Sequence, residues 1–236
     1  MFIAKTSKIE TLAKEHPSVI KQLEGIFSEP TRIYIDYANV RPWSEKLGWH
    51  IDLNRLKQFM DSFTTVQSVG LYSGILKGND KSEKDLKEAE RQKYLIRTKP
   101  VKIMRLYIDT SDLKSGSVVL LKKFISPSLL RKYKTETIEY LNELFTEMNL
   151  RGEKYIEDRK CNFDVEIAVD MLLDSERNKA KTFVLWSGDS DFSDPIGQLL
   201  GTGKRVTLFA TAGRVAKELN EYRNYGLTIF DISRFI

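Results

Sequence analysis

The chain has 236 residues, with 38 Lys and Arg against 33 Asp and Glu, and it is 41% hydrophobic and 11% aromatic. That length and apolar content support a real core, which excludes global disorder; no uninterrupted apolar run exceeds four residues, which excludes a span of the bilayer. A single cysteine, Cys161, excludes an internal disulfide and a Cys-rich zinc module, and two histidines, His16 and His50, leave any metal to oxygen ligands. Charges interrupt the apolar residues of the N-terminal MFIAKTSKIETLAKEH, unlike a signal peptide. These features together predict a soluble protein of the reducing cytoplasm. The net charge of +5 permits a nucleic-acid partner without requiring one.

In chain order, residues 1–30 predict a helical arm, with apolar spacing from Ile9 to Phe27, a break near Pro17 and a stop at Pro30. Thr31–Asp36 reads as a β-branched strand ending on a carboxylate. Ile51–Phe63 has helical spacing, Val66–Tyr72 reads as a strand, Asn79–Arg97 as a long charged helix and Val101–Ile108 as a third strand. Residues 109–160 read as an insertion, with Ser117–Leu121 a candidate extra strand and helical periodicity from Ile138 to Met148. The pattern then alternates again: a helix from Asp164 through Leu173, strand Thr182–Ser187, helix Phe192–Leu200, strand Arg205–Ala210, a helix near Arg214–Glu221 and strand Leu227–Phe230. Strands alternating with helices imply a mainly parallel sheet covered on both faces. The main domain is expected to run over 31–236.

In such sheets, ligands bind beyond the carboxyl ends of the strands. Two of those ends are acidic: Asp36 follows Ile33-Tyr34-Ile35, with Asn39 three residues on, and Ser187-Gly188-Asp189-Ser190-Asp191 follows Phe183-Val184-Leu185-Trp186. Asp164 opens a helix. Singly, each Asp also suits a turn or a helix cap. Brought together, they repel one another and lose hydration, and a hard divalent cation relieves both costs. Gly188 offers a sharp turn that would aim Asp189 and Asp191 at one pocket. Asp170 lies off the face of Asp164 and is expected to support the site or to bridge to another helix.

The segments Tyr34-Ile35-Asp36-Tyr37-Ala38-Asn39-Val40, Asp164-Val165-Glu166-Ile167-Ala168-Val169-Asp170 and Trp186-Ser187-Gly188-Asp189-Ser190-Asp191-Phe192, followed by Gly203-Lys204-Arg205-Val206, resemble the NYN (LabA-like) domains of the PIN-like nuclease superfamily. The motifs stand in the family's order and span about 31–232. The resemblance implies an α/β PIN-like Rossmannoid three-layer fold and a ribonuclease dependent on Mg²⁺ or Mn²⁺, leaving 5′-phosphate and 3′-hydroxyl ends. It carries acidic positions onto Asp36, Asp164, Asp189 and Asp191, and a polar one onto Asn39. Where the family often places Lys-Gly before the middle Asp, this chain has Cys161 and Asn162, with Lys160 one position further away.

On this basis Asp36, Asp164 and Asp189 are expected to hold the principal ion, with Asp191 completing the shell and Asn39, Ser187 and Ser190 fixing water or phosphate. Single-stranded RNA is the expected substrate, with no membrane partner; DNA and a homodimer stay open. Lys160 and the helix cations Lys81, Lys84 and Arg91 are candidate substrate contacts. With Lys87 the helix cations share an arc of about 120°, although Glu88 lies within it and a solvated face is the plainer explanation. Lys122, Lys123, Arg131, Lys132 and Lys134 form a second basic cluster. Trp43, Trp49 and Tyr72 could stack on bases, or simply anchor loops and core. Ala38 occupies the position where a haloacid-dehalogenase phosphatase wants its second acid, and the acidic doublet of a receiver domain is missing. The competing reading is a PIN-like module that binds or regulates RNA without cutting it.

Overall fold

The computed structural model describes residues 1–40, 48, 51–76, 80–210 and 215–232, with 80–82 described by their backbone alone. Trp43, Trp49, His50 and Arg214, and the side chain of Lys81, lie outside the described residues. The chain divides into two compact units, one comprising 1–100 with 161–236 and the other Val101–Lys160. Among the described residues no helix is long and apolar enough to cross a membrane.

The first unit begins with helices α1 (Ser7–Glu15) and α2 (Pro17–Ile26). The Thr6 hydroxyl caps α1 by accepting from the Ile9 amide at 3.3 Å, and Pro17 opens α2, where its missing N–H costs nothing. Ile9, Ile20, Leu23, Ile26 and Phe27 are buried in the same core as the sheet. The strands are β1 (Thr31–Asp36), β2 (Val66–Ile75), β3 (Leu95–Pro100), β6 (Thr182–Trp186), β7 (Arg205–Ala210) and β8 (Thr228–Asp231). They form one six-stranded sheet in the order β3-β2-β1-β6-β7-β8, and every pairing is parallel. All five residues of β6 are buried, as a central parallel strand covered on both faces requires.

The register sorts the side chains by face. Ile35 pairs with Trp186, and Trp186 with Phe209. This face packs against α2 and α3 (Leu53–Met60) through Leu23, Leu56 and Phe59. Arg32, Tyr34 and Asp36 point to the opposite face, which α7 (Asp164–Glu176) covers. Two helical layers thus enclose the sheet. The chain leaves β1 toward β2 and β3 on one side, and takes β6, β7 and β8 on the other. The switch in strand order therefore falls between the carboxyl ends of β1 and β6, where such sheets open a crevice.

Three expectations need correction. The charged helix, α4 (Asp80–Arg91), stops at Arg91, and the chain passes through the left-handed Lys93 into β3, so Leu95–Pro100 is an edge strand. Lys102–Tyr107 (β4) does not join the main sheet; it pairs antiparallel with Tyr155–Lys160 (β5), a strand whose high charge hid it in the sequence. In that second unit Ser117–Leu121 forms no strand but leads into a 3₁₀ turn at Leu121–Lys123. Its VVLL run supplies Leu121 to a small core with Leu130 and Ile138. Two helices complete the unit, α5 (Pro127–Leu130) and α6 (Thr135–Leu150). In the first unit α8 (Ser193–Gly201) and α9 (Lys217–Glu221) follow β6 and β7.

Candidate metal centre

Asp36 ends β1 beside the carboxyl end of β6, on the face covered by α7. It is only 4% exposed. Its carboxylate accepts from the Asn39 amide at 3.3 Å and from the Ser187 hydroxyl at 3.4 Å. Burial pushes its pKa up to about 6; the Asn39 amide opposes the shift, and the charge of Asp164 adds to it, with that of Asp189 a smaller contribution.

Asp164 occupies the first turn of α7, positioned by the Asn162 side chain, whose Oδ1 accepts from the Asp164 amide at 2.8 Å. Burial raises its pKa, an Asn162 side-chain hydrogen bond opposes that, and Asp189 and Asp191 raise it further. Among the described residues its Oδ2 is buried without a hydrogen-bond partner. A buried, bare carboxylate oxygen is costly, and nearby carboxylates aggravate the cost.

Asp189 and Asp191 come from the loop after β6. The Ser187 hydroxyl accepts from the Asp189 amide at 3.4 Å, and Asp189 in turn caps a short 3₁₀ turn by accepting from the Asp191 amide at 3.2 Å. Gly188 does not take the left-handed conformation that its type allows. Instead its carbonyl accepts from the Ala216 amide at 3.2 Å, which ties the loop to the chain beyond β7. Carboxylate oxygens of Asp164, Asp189 and Asp191 lie within 4.8 Å of one another. The donor set is all oxygen, as hard divalent cations prefer, and the orphaned Asp164 Oδ2 is the atom such an ion would satisfy. Asp36 falls outside this group of three, yet its ionisation is coupled to Asp164 and Asp189.

Among the described residues none of these four carboxylates has an ion pair. Asp170 behaves differently: it accepts from the Tyr72 hydroxyl at 2.7 Å and pairs with Arg97 at 2.8 Å, so it bridges α7 to β2 and β3. Tyr72 is accordingly buried, not offered to a base. Ser190 is half-buried, and its carbonyl accepts from the Ser193 hydroxyl at 2.5 Å. Lys84 is exposed, Arg91 pairs with Glu88 at 2.6 Å, and Lys160, in the second unit, pairs with Asp158 at 3.4 Å. Burial pushes the Cys161 thiol up, which disfavours it as a nucleophile.

Lys99 was not legible as a site neighbour in the sequence. At the end of β3 it pairs with Glu166 at 2.6 Å and lies 4.6 Å from the centroid of the Phe163 ring, beside the residue that precedes Asp164. Only the correct assignment of β3 could have pointed to it.

The family model for the NYN domain matches residues 30–229. A curated relative, the "Low amplitude and bright protein LabA" of Synechococcus elongatus, is 32% identical over 102 residues, which is 43% of this chain and 52% of that protein. The chain thus matches about half the length of this relative. A crystal structure of a protein of unknown function from Vibrio parahaemolyticus superposes with a TM-score of 0.52 at 17% identity, covering 86% of this chain and 93% of that one, and shares its fold.

Proposed function

The chain belongs to the NYN domain family, and we propose that it is a divalent-metal-dependent endoribonuclease acting on single-stranded RNA. The carrying observation is that carboxylate oxygens of Asp164, Asp189 and Asp191 gather within 4.8 Å of one another with no ion pair among the described residues, and that Asp164 Oδ2 is buried without a hydrogen-bond partner among them. These three would hold Mg²⁺ or Mn²⁺. When bound, such an ion neutralises phosphate oxygens and makes a water more acidic.

The remaining work falls to the chain. Asp36, with a carboxyl group near neutrality, is suited to accept the proton of the attacking water, since a general base works best when its pKa lies near the working pH. The Ser187 hydroxyl and the Asn39 amide fix the orientation of that carboxylate. The side chains of Asn39, Ser187 and Ser190 are the neutral donors offered to the phosphate. Lys99 and the exposed Lys84 and Arg91 are the cations offered to the RNA backbone; Lys160, in the second unit, is by itself a candidate RNA contact.

The test is incubation of the purified chain with labelled single-stranded RNA, and in parallel with single-stranded DNA, in Mn²⁺, Mg²⁺ or EDTA. Wild type is expected to cut RNA with either ion and leave 5′-phosphate ends, while EDTA and Asp189→Asn abolish cleavage. Binding without cleavage by wild type would contradict the proposal and favour a non-catalytic RNA-binding module.

A further inference from the structure

The unit Val101–Lys160 holds 12 Lys and Arg against 9 Asp and Glu, and so carries more than half of the net charge of +5 in about a quarter of the chain. Its strands β4 and β5 pair so that Ile103, Arg105 and Tyr107 lie opposite Arg159, Glu157 and Tyr155. Alternation puts these six side chains on one face of the ribbon and Met104, Leu106 and Ile156 on the other. The second set is half-buried, whereas the first carries the aromatic rings outward. Tyr107 is 59% exposed and Tyr155 39% exposed.

The rings stand 6.0 Å apart at 64°, and the Arg105 guanidinium lies 4.5 Å from the Tyr155 ring centroid. Lys123 donates to the Tyr107 carbonyl at 3.1 Å, which brings an ammonium group to the end of β4. Glu157, the carboxylate of this face, stands 4.0 Å from Arg105 and 3.7 Å from Arg159. Both separations exceed a hydrogen bond, so Glu157 leaves the guanidinium donors open to other acceptors. Exposed rings interleaved with cations form a surface for unpaired bases joined by phosphates: every base has a face to stack, and every linkage a charge to neutralise.

We propose that this face of the β4–β5 ribbon binds single-stranded nucleic acid, with bases stacked on Tyr107 and Tyr155 and phosphates met by Arg105, Arg159 and Lys123. The inference rests on RNA being the substrate and adds the surface that holds it.

The test measures fluorescence anisotropy of a labelled oligouridylate with the full chain in EDTA, so that cleavage does not enter. The double variant Tyr107→Ala, Tyr155→Ala is expected to bind at least about tenfold more weakly, and the Tyr→Phe pair within about twofold of wild type, because stacking needs the ring and not the hydroxyl. Arg159→Ala should lower the slope of log affinity against log salt by about one. Photocrosslinking of wild type to a 4-thiouridine oligonucleotide reads the same surface without a variant, and crosslinks at Tyr107 or Tyr155 are expected. Affinity within twofold of wild type in the Ala pair, or crosslinks confined to other elements, overturns the inference. A wild type that binds through the tyrosines but never cuts sinks the nuclease reading alone. Cleavage with undiminished binding by the Ala pair sinks the platform alone.

Discussion

Helix α7 carries acidic side chains of two kinds. Glu166, Asp170 and Asp174 each meet a cation: Lys99 at 2.6 Å, Arg97 at 2.8 Å, and Arg32 and Lys179 at 2.5 and 3.1 Å. Asp174 also accepts from the Tyr34 hydroxyl at 2.9 Å. Burial alone would raise the pKa of Asp174, but the hydrogen bonds from Arg32, Tyr34 and Lys179 outweigh it and hold the carboxyl below its usual range. One end of the same helix reverses this. Asp164 meets no cation among the described residues, faces Asp189 and Asp191, and is held above its usual range by burial and by those neighbours. The fold neutralises carboxylates that join α7 to the sheet, and leaves bare the one that opens onto the crevice between β1 and β6.

Substitution at the two ends should therefore give opposite results. Asp164→Asn or Asp189→Asn is expected to lower single-turnover RNA cleavage by about a thousandfold without lowering the melting temperature in metal-free buffer, because each removes like-charge repulsion. Asp174→Asn should instead cost about 3 kcal/mol in urea denaturation, since it strips Arg32 of its partner in a mostly buried pair, while turnover per folded molecule stays within about threefold. A catalytic loss from Asp174→Asn as deep as that from Asp164→Asn would break the contrast.

pH separates the two kinds as well. Asp36 ionises at about 6 in the folded chain against 3.8 ordinarily, so the native state holds its proton more tightly across that interval. Its contribution is full below about 3.8 and is lost as pH rises through about 6, withdrawing about 3 kcal/mol in metal-free buffer. Asp36→Asn should flatten this slope in denaturation series. Asp174 has the opposite sign: its stabilisation is present above 3.8 and is lost as pH falls through its lowered folded value. A smaller effect belongs to Tyr72→Phe, which removes the hydroxyl donated to Asp170 and should cost about 1 kcal/mol in the same assay. Lys99→Ala is the finest probe, expected to reduce the salt slope of RNA binding by about one while leaving the charge on Asp164 in place.

The sequence made the alternation of strand and helix legible from Thr31 to Tyr72 and again from Asp164 onward, because buried parallel strands such as Phe183–Trp186 are apolar runs with acidic ends. The same acidic ends exposed the site: Asp36 and Ser187–Asp191 announce themselves as polar residues following strands. Local spacing could not tell which carboxylates are neutralised, since Asp174 meets Arg32 and Tyr34 across more than 100 positions of chain. For the same reason spacing left open whether Tyr72 stacks on bases or anchors the core; it is buried and donates to Asp170. Strands β3 and β5 were hidden by charge: Leu95–Pro100 is an edge, and Tyr155–Lys160 turns polar residues to both faces. Missing β5 also hid the pairing of Tyr107 with Tyr155, a contact that exists only once the ribbon is in register.

Whether Asp164, Asp189 and Asp191 share one divalent ion can be read from anomalous diffraction of crystals soaked in Mn²⁺. The expected result is a peak bonded to oxygens of all three carboxylates, including Asp164 Oδ2, that disappears in crystals of Asp189→Asn. Well-ordered carboxylates with no peak between them, or a peak that survives in Asp189→Asn, would contradict it.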